Sequence, residues 1–195
     1  MNSISNLSEH QPAFEESRSS SEPAWLKEIR SSALNQSEAM GLPTTRQEAF
    51  RYTDLSRLAK SPFAPVTTAP EANQPEALPF EVSATLHFIN GRFASCTTNG
   101  LPAGALVANL SEAMAVHGDL LEKHLGKIAD PGFHGLTALN TAYIGDAAVV
   151  YIPANAQIAH PIRILFENRE CDQTASYPRL FVLSDTGSEA TIIEE

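Results

Sequence analysis

From residue 23 the apolar positions recur at helical spacing, and from residue 81 they alternate. Trp25, Leu26, Ile29, Ala33, Leu34 and Met40 form one stripe at three- and four-residue intervals, which predicts an amphipathic helix. Pro23 suits its first turn and Gly41-Leu42-Pro43 its stop. Val82, Ala84, Leu86 and Phe88 then alternate up to Asn90-Gly91, so HFINGRFA predicts a β-hairpin. A short apolar run at 105–110 leads into a second helix opened by Ser111 and Glu112. Met114, Leu120, Leu121, Leu125 and Ile128 form its apolar face, and Gly126 and Asp130-Pro131-Gly132 close it. After Phe133 the texture is a series of short β-rich runs, with strands expected at 149–152, 162–166, 180–183 and 190–193 and no helix among them. Such spacing fits a sandwich or a β-solenoid, and periodicity does not choose between them.

These patterns divide the chain into a disordered, Ser-rich tail (1–22), a helical region (23–60), a Pro-rich linker (61–80), a mixed hairpin and helix segment (81–132) and a β-rich part (133–195). The linker carries five of the thirteen prolines, which no helix or central strand accommodates. The tail lacks the basic and apolar regions of a secretory signal, and its glutamates argue against a transit peptide.

Charge narrows the function classes. Thirteen basic side chains stand against 23 acidic ones, a net charge of −10, which disfavours a nucleic-acid binder relying on massed Lys and Arg. No apolar run approaches the roughly 20 residues of a membrane-spanning helix, so no membrane partner is expected. Cys96 and Cys171 belong to no CxxC pair and read as reduced thiols, as in the cytoplasm. The stretch 43–60, PTTRQEAFRYTDLSRLAK, is a basic island in which Arg46, Arg51, Arg57 and Lys60 face Glu48 and Asp54, with Phe50 and Tyr52 interleaved. Thr45 and Glu48 have capping-box spacing, and the simplest expectation is a short helix packing Phe50, Leu55 and Leu58. An anion or nucleic-acid site is the sharper alternative.

Catalytic chemistry is not evident. None of His10, His87, His117, His124, His134 and His160 stands in an HxH or HxxxH spacing, and His160 reads as a turn residue before Pro161. Ser184, Asp185 and Ser188 lack a nucleophile-elbow context, and Asp146, Asp185 and Glu189 sit near strand ends without a defined partner. Gly-rich phosphate cradles are absent. Hence no catalytic, cofactor-binding or metal-binding residue is assigned, and a non-enzymatic binding or scaffold role is expected.

Three ordered blocks give the chain a family likeness. PTTRQEAFRYTDLSRL resembles the P-x-R-x-E-x-W-R/K-Y-T-x-L stretch near the N-terminus of the SufB/SufD proteins of iron–sulfur cluster assembly, with Phe50 where the family commonly has Trp. LTALNTAYIGDAAVVYIPANAQIAHPIRILF and YPRLFVLSDTGSEATIIEE resemble that family's entry into its core and the turns that follow. The order of parts is more similar to SufD than to SufB. The resemblance implies an α+β chain whose helical N-terminal region precedes the beginning of a right-handed parallel β-helix. It also implies SufB-like and SufC-like partner subunits, with the cluster assembled by the full complex and no cofactor bound by this segment.

Family members run well past this length, so the chain is expected to cover an N-terminal portion and to exclude the partner-binding and cluster-associated positions. An open coil end would favour self-association. The rival classes are a β-helix carbohydrate-active enzyme fragment and a stand-alone interaction domain. The enzyme would need clustered charges, yet residues 81–195 hold only six Lys and Arg.

Overall fold

The computed structural model describes residues 14, 22–60, 64–66, 71, 73–169 and 174–195. The N-terminal tail therefore lies largely outside the described residues, as do part of the Pro-rich linker, His10 and Cys171. The architecture is α+β; among the described residues there are two sheets of mixed strand direction and one short parallel pair, none closed. Two compact units share the chain. One draws on Met1–Thr67, Glu122–Gly145 and Cys171–Tyr177, the other on Thr68–Leu121, Asp146–Glu170 and Pro178–Glu195.

In the helical unit, helix α1 runs Ala24–Met40 between Pro23 and Gly41, whose φ of 67° ends it. Its buried face is Leu26, Arg30, Ala33, Leu34 and Ser37, so of the expected stripe Leu26, Ala33 and Leu34 are buried, Trp25 and Ile29 are half-buried and Met40 is exposed. Ser37 quiets its hydroxyl by donating to the Leu34 carbonyl at 2.8 Å. Ala33 and Leu34 pack with Phe14, Ala142 and Tyr143. Phe14 falls in the stretch expected as a solvated tail, yet it is buried, edge-on to Tyr143 with ring centroids 5.8 Å apart. Tyr143 stacks on Tyr177 at 4.8 Å, and burial pushes the Tyr177 phenol up to about 12 and raises that of Tyr143 as well.

Helix α3, Gly135–Ala142, corrects the expectation of β structure throughout 133–195. Eight residues containing Gly, Asn and two Thr have weak intrinsic helicity, so packing rather than propensity holds this helix. It packs on α1, and the fit is close: a Cβ on Gly135 would stand 1.9 Å from the Gly41 carbonyl oxygen. Gly135→Ala is therefore expected to cost about 1–3 kcal/mol by overpacking, read as a lower urea midpoint with unchanged slope. The unit also contains the short parallel pair β1 (Ala64–Pro65) and β7 (Thr174–Ala175).

In the β-rich unit, β2 (Ala84–Ile89) and β3 (Arg92–Thr98) form the expected hairpin. Asn90 and Gly91 have φ of 52° and 76°, the pair of left-handed residues that a two-residue turn requires. A register shift between His87 and Phe88 marks a bulge. β6 (Ile162–Glu167) lies parallel to β2, and β9 (Ile192–Glu194) parallel to β6, giving the order β3-β2-β6-β9. A second sheet has β4 (Leu106–Asn109) antiparallel to β5 (Ala148–Ile152), and β8 (Leu180–Ser184) parallel to β5.

Alternate residues of these strands build one core: Ala84, Leu86 and Phe88, Ala148, Val150 and Ile152, and Ile162 and Ile164, joined by Val107 and Ile158. Helix α2 (Leu110–His124) follows β4. Its cap is Asn109, which accepts the Glu112 N–H at 2.9 Å, two residues ahead of the expected Ser111. The helix is interrupted at His117, whose φ of −130° and ψ of 38° precede Gly118.

Candidate functional site

The basic island does not fold as the expected helix. Residues 44–60 hold only two three-residue 3₁₀ turns, Glu48–Phe50 and Leu58–Lys60, and no side chain caps the first. The segment instead keeps its course by successive turns. Phe50 N–H donates to the Gln47 carbonyl at 2.9 Å, Thr53 N–H to the Phe50 carbonyl at 2.9 Å, and Ser56 N–H to the Asp54 carboxylate at 2.9 Å. That last contact, with the Ser56 hydroxyl, holds the Asp54 carboxyl below its usual range.

The outcome is an exposed surface of rings and cations. Tyr52 is 91% exposed with the Arg51 guanidinium 5.6 Å from its ring centre. Phe50 stands edge-on to the His134 ring at 5.3 Å, and Phe133, 75% exposed, lies tilted against the same histidine at 5.0 Å. His134 is fixed because its Nδ1 accepts the Thr137 N–H at 3.1 Å, capping α3. That nitrogen is therefore unprotonated, and the proton of the neutral ring sits on Nε2.

The remaining histidines are dispersed. His117 packs on Tyr151 at 4.5 Å, and the Tyr151 hydroxyl donates to Asp185 at 2.8 Å, which raises the phenol. His160 Nε2 lies 3.2 Å from Glu81 in an exposed pair, which agrees with a turn role. His124 is half-buried near the end of α2. Cys96 is half-buried; burial, reinforced by Glu112, pushes its thiol up, so it stays protonated and unreactive. Among the described residues no group of three or more His, Cys, Asp or Glu is placed to hold a metal ion, and no helix is long and apolar enough to cross a membrane.

Two polar arrangements escaped the sequence. His87, buried at 1% exposure, has Nε2 3.0 Å from Glu167, while its Nδ1 is without a partner. Arg169 grips the same carboxylate through Nε at 2.7 Å and Nη2 at 3.2 Å, and this grip, more than the histidine, holds Glu167 below the usual range. Beside them a groove of about 420 Å³ lies between residues 73–82 and the sheet, floored by Thr97, Thr85 and Arg163 at one register position. Arg163 is already committed, donating from Nε to Glu195 and from Nη1 to the Glu76 carbonyl at 2.6 Å. The carboxylates of Glu76 and Glu81 on the rim leave the groove with no excess of positive charge for an anion.

Comparison with known proteins supplies what the dispersed chemistry does not. The family model described as the SufBD protein N-terminal region matches residues 1–164. The iron–sulfur cluster assembly SufBD family protein slr0076 of Synechocystis is 33% identical over 183 residues, covering 90% of this chain and 40% of that protein. The iron–sulfur cluster assembly protein SufD of Bacillus subtilis is 27% identical over 186 residues, with 89% and 41% covered. The chloroplastic protein ABCI7 of Arabidopsis thaliana is 26% identical over 179 residues, with 87% and 37% covered. The chain thus spans about two-fifths of the length of these relatives. By the match of its residues 1–164, it belongs to the SufB/SufD family and represents the family's N-terminal portion.

Proposed function

We propose that this chain is the N-terminal part of a SufD-type scaffold subunit in a cytoplasmic complex that assembles iron–sulfur clusters, and that it acts through protein contacts rather than catalysis. The family match carries the reading, and the similarity over 89% of this chain to a protein named SufD favours that branch. In this reading the parallel ladders are the first coil of a right-handed β-helix. Supporting it, Ala148 pairs with Leu180, Gln157 with Glu189 and Ile162 with Ile192, so three successive stretches meet the chain again 30–32 residues on, always in parallel. The outer edges of β8 and β9 then receive the next coil.

The cluster is the product of the whole complex, and its ligands come from other parts of it. SufB-like and SufC-like subunits are the partners, engaged through regions corresponding to the remaining three-fifths of the relatives. Co-purification tests this. A full-length version is expected to capture both subunits, and residues 1–195 alone to capture neither. Failure of the full-length protein to capture either would overturn the assignment.

A further inference from the structure

Residues 44–60 are anomalous for a well-ordered segment. Nearly all are exposed, their order comes from local turns, and Tyr52 faces solvent while Phe50 is half-buried. Burying a tyrosine or phenylalanine stabilises a fold by roughly 1.5–3 kcal/mol, a gain that Tyr52 and Phe133 forgo here. Both belong to one unit, and both rings carry a polar or cationic neighbour, Arg51 on Tyr52 and His134 on Phe133. Exposed aromatic rings interleaved with arginine have the composition of the residues that dominate binding energy at protein interfaces.

Charge identifies the occupant. The segment 43–60 holds four cations against two acids, whereas the rest of the chain holds nine against 21. One acid of the segment, Asp54, accepts the Ser56 N–H and hydroxyl, and the other, Glu48, reaches Arg51 only at 4.0 Å with both side chains exposed. A positive, ring-bearing surface on an otherwise acidic chain attracts a negatively charged partner locally. It does not offer the extended cationic track that a nucleic-acid strand follows.

We propose that Arg46, Arg51, Tyr52, Phe50, His134 and Phe133 form a docking surface for an acidic segment of another polypeptide. The rings supply contact area, and the arginines pair with its carboxylates. This stands apart from the assembly reading, because the acidic partner need not be a subunit of that complex.

Site-specific photo-crosslinking in cells making the full-length protein tests it. Tyr52→p-benzoylphenylalanine and Phe133→p-benzoylphenylalanine are each expected to yield a nuclease-resistant cross-link. Peptide mapping should place that link in an Asp- and Glu-rich segment of a different protein. Adding Arg46→Glu and Arg51→Glu should lower the yield at least tenfold while circular dichroism shows an unchanged fold, since both side chains are exposed. A cross-link to nucleic acid, to the protein's own chain or to a segment without acid excess would overturn the proposal. So would the absence of any cross-link, or a yield indifferent to the charge reversals.

Discussion

Arg30→Ala is expected to destabilise the helical unit by about 3–5 kcal/mol, the range for breaking a buried ion pair from one side. Arg30 is 1% exposed, and its Nη1 meets Glu22 at 2.7 Å with that side chain almost equally buried. Its Nε donates to the Ala142 carbonyl at 2.8 Å, tying α1 to the end of α3, and its guanidinium carbon stands 5.3 Å from the centre of the Phe14 ring. Alanine removes all of these contacts and takes the guanidinium away from a buried carboxylate.

Removing both charges tells a different story. Arg30→Met with Glu22→Gln replaces the pair by groups that need no counter-charge, and should recover at least half of the loss. The readout is local, because the chain's only tryptophan, Trp25, lies on α1. Urea unfolding followed by its fluorescence reports the helical unit, while circular dichroism reports the whole chain. Two units need not melt together, so the fluorescence transition should move most. A shift worth less than about 1 kcal/mol for Arg30→Ala would show that the pair contributes little.

What the sequence made legible was local. Helix α1 followed from one stripe and its flanking Pro23 and Gly41, and the hairpin from Asn90-Gly91 between alternating residues. Four short β-rich runs correspond to β5, β6, β8 and β9 within two residues. Helix α3 was hidden because Gly135 reads as a breaker, whereas it is the residue that lets the backbone approach Gly41. Arg30 was hidden as well, although position 30 shares a face with Leu26, Ala33 and Ser37; a charge in that row was the available signal. In the candidate surface, the ring–cation composition of 43–60 was visible. The arrival of Phe133 and His134 beside Phe50 was not, because no local pattern specifies a contact between segments so distant in the chain.

Asp146 extends the same lesson and carries the second large effect. Its carboxylate gathers three backbone N–H groups, from Phe93 at 3.1 Å, Leu110 at 3.3 Å and its neighbour Ala147 at 2.9 Å. It thereby joins β3, the start of α2 and β5 at one point. Asp146→Ala leaves those donors without an acceptor, and at roughly 1–3 kcal/mol for each unsatisfied buried group the loss should reach about 3 kcal/mol.

Asp146→Asn should lose less, because its amide oxygen still accepts from Leu110 and Ala147 while its NH₂ faces the Phe93 N–H. The comparison has a pH signature. Burial raises the Asp146 carboxyl above its usual 3.8, outweighing the three N–H groups that favour the anion. A group with a raised folded value contributes stability that is full below 3.8 and lost as pH rises through that folded value. Asparagine does not titrate, so its deficit relative to the native protein should be greatest in acid and shrink as pH rises from 3.8 through the folded value. Urea unfolding of both proteins across that range measures the difference directly. A deficit that instead grows with pH would mean that the anion, held by its three N–H donors, is the favoured buried form.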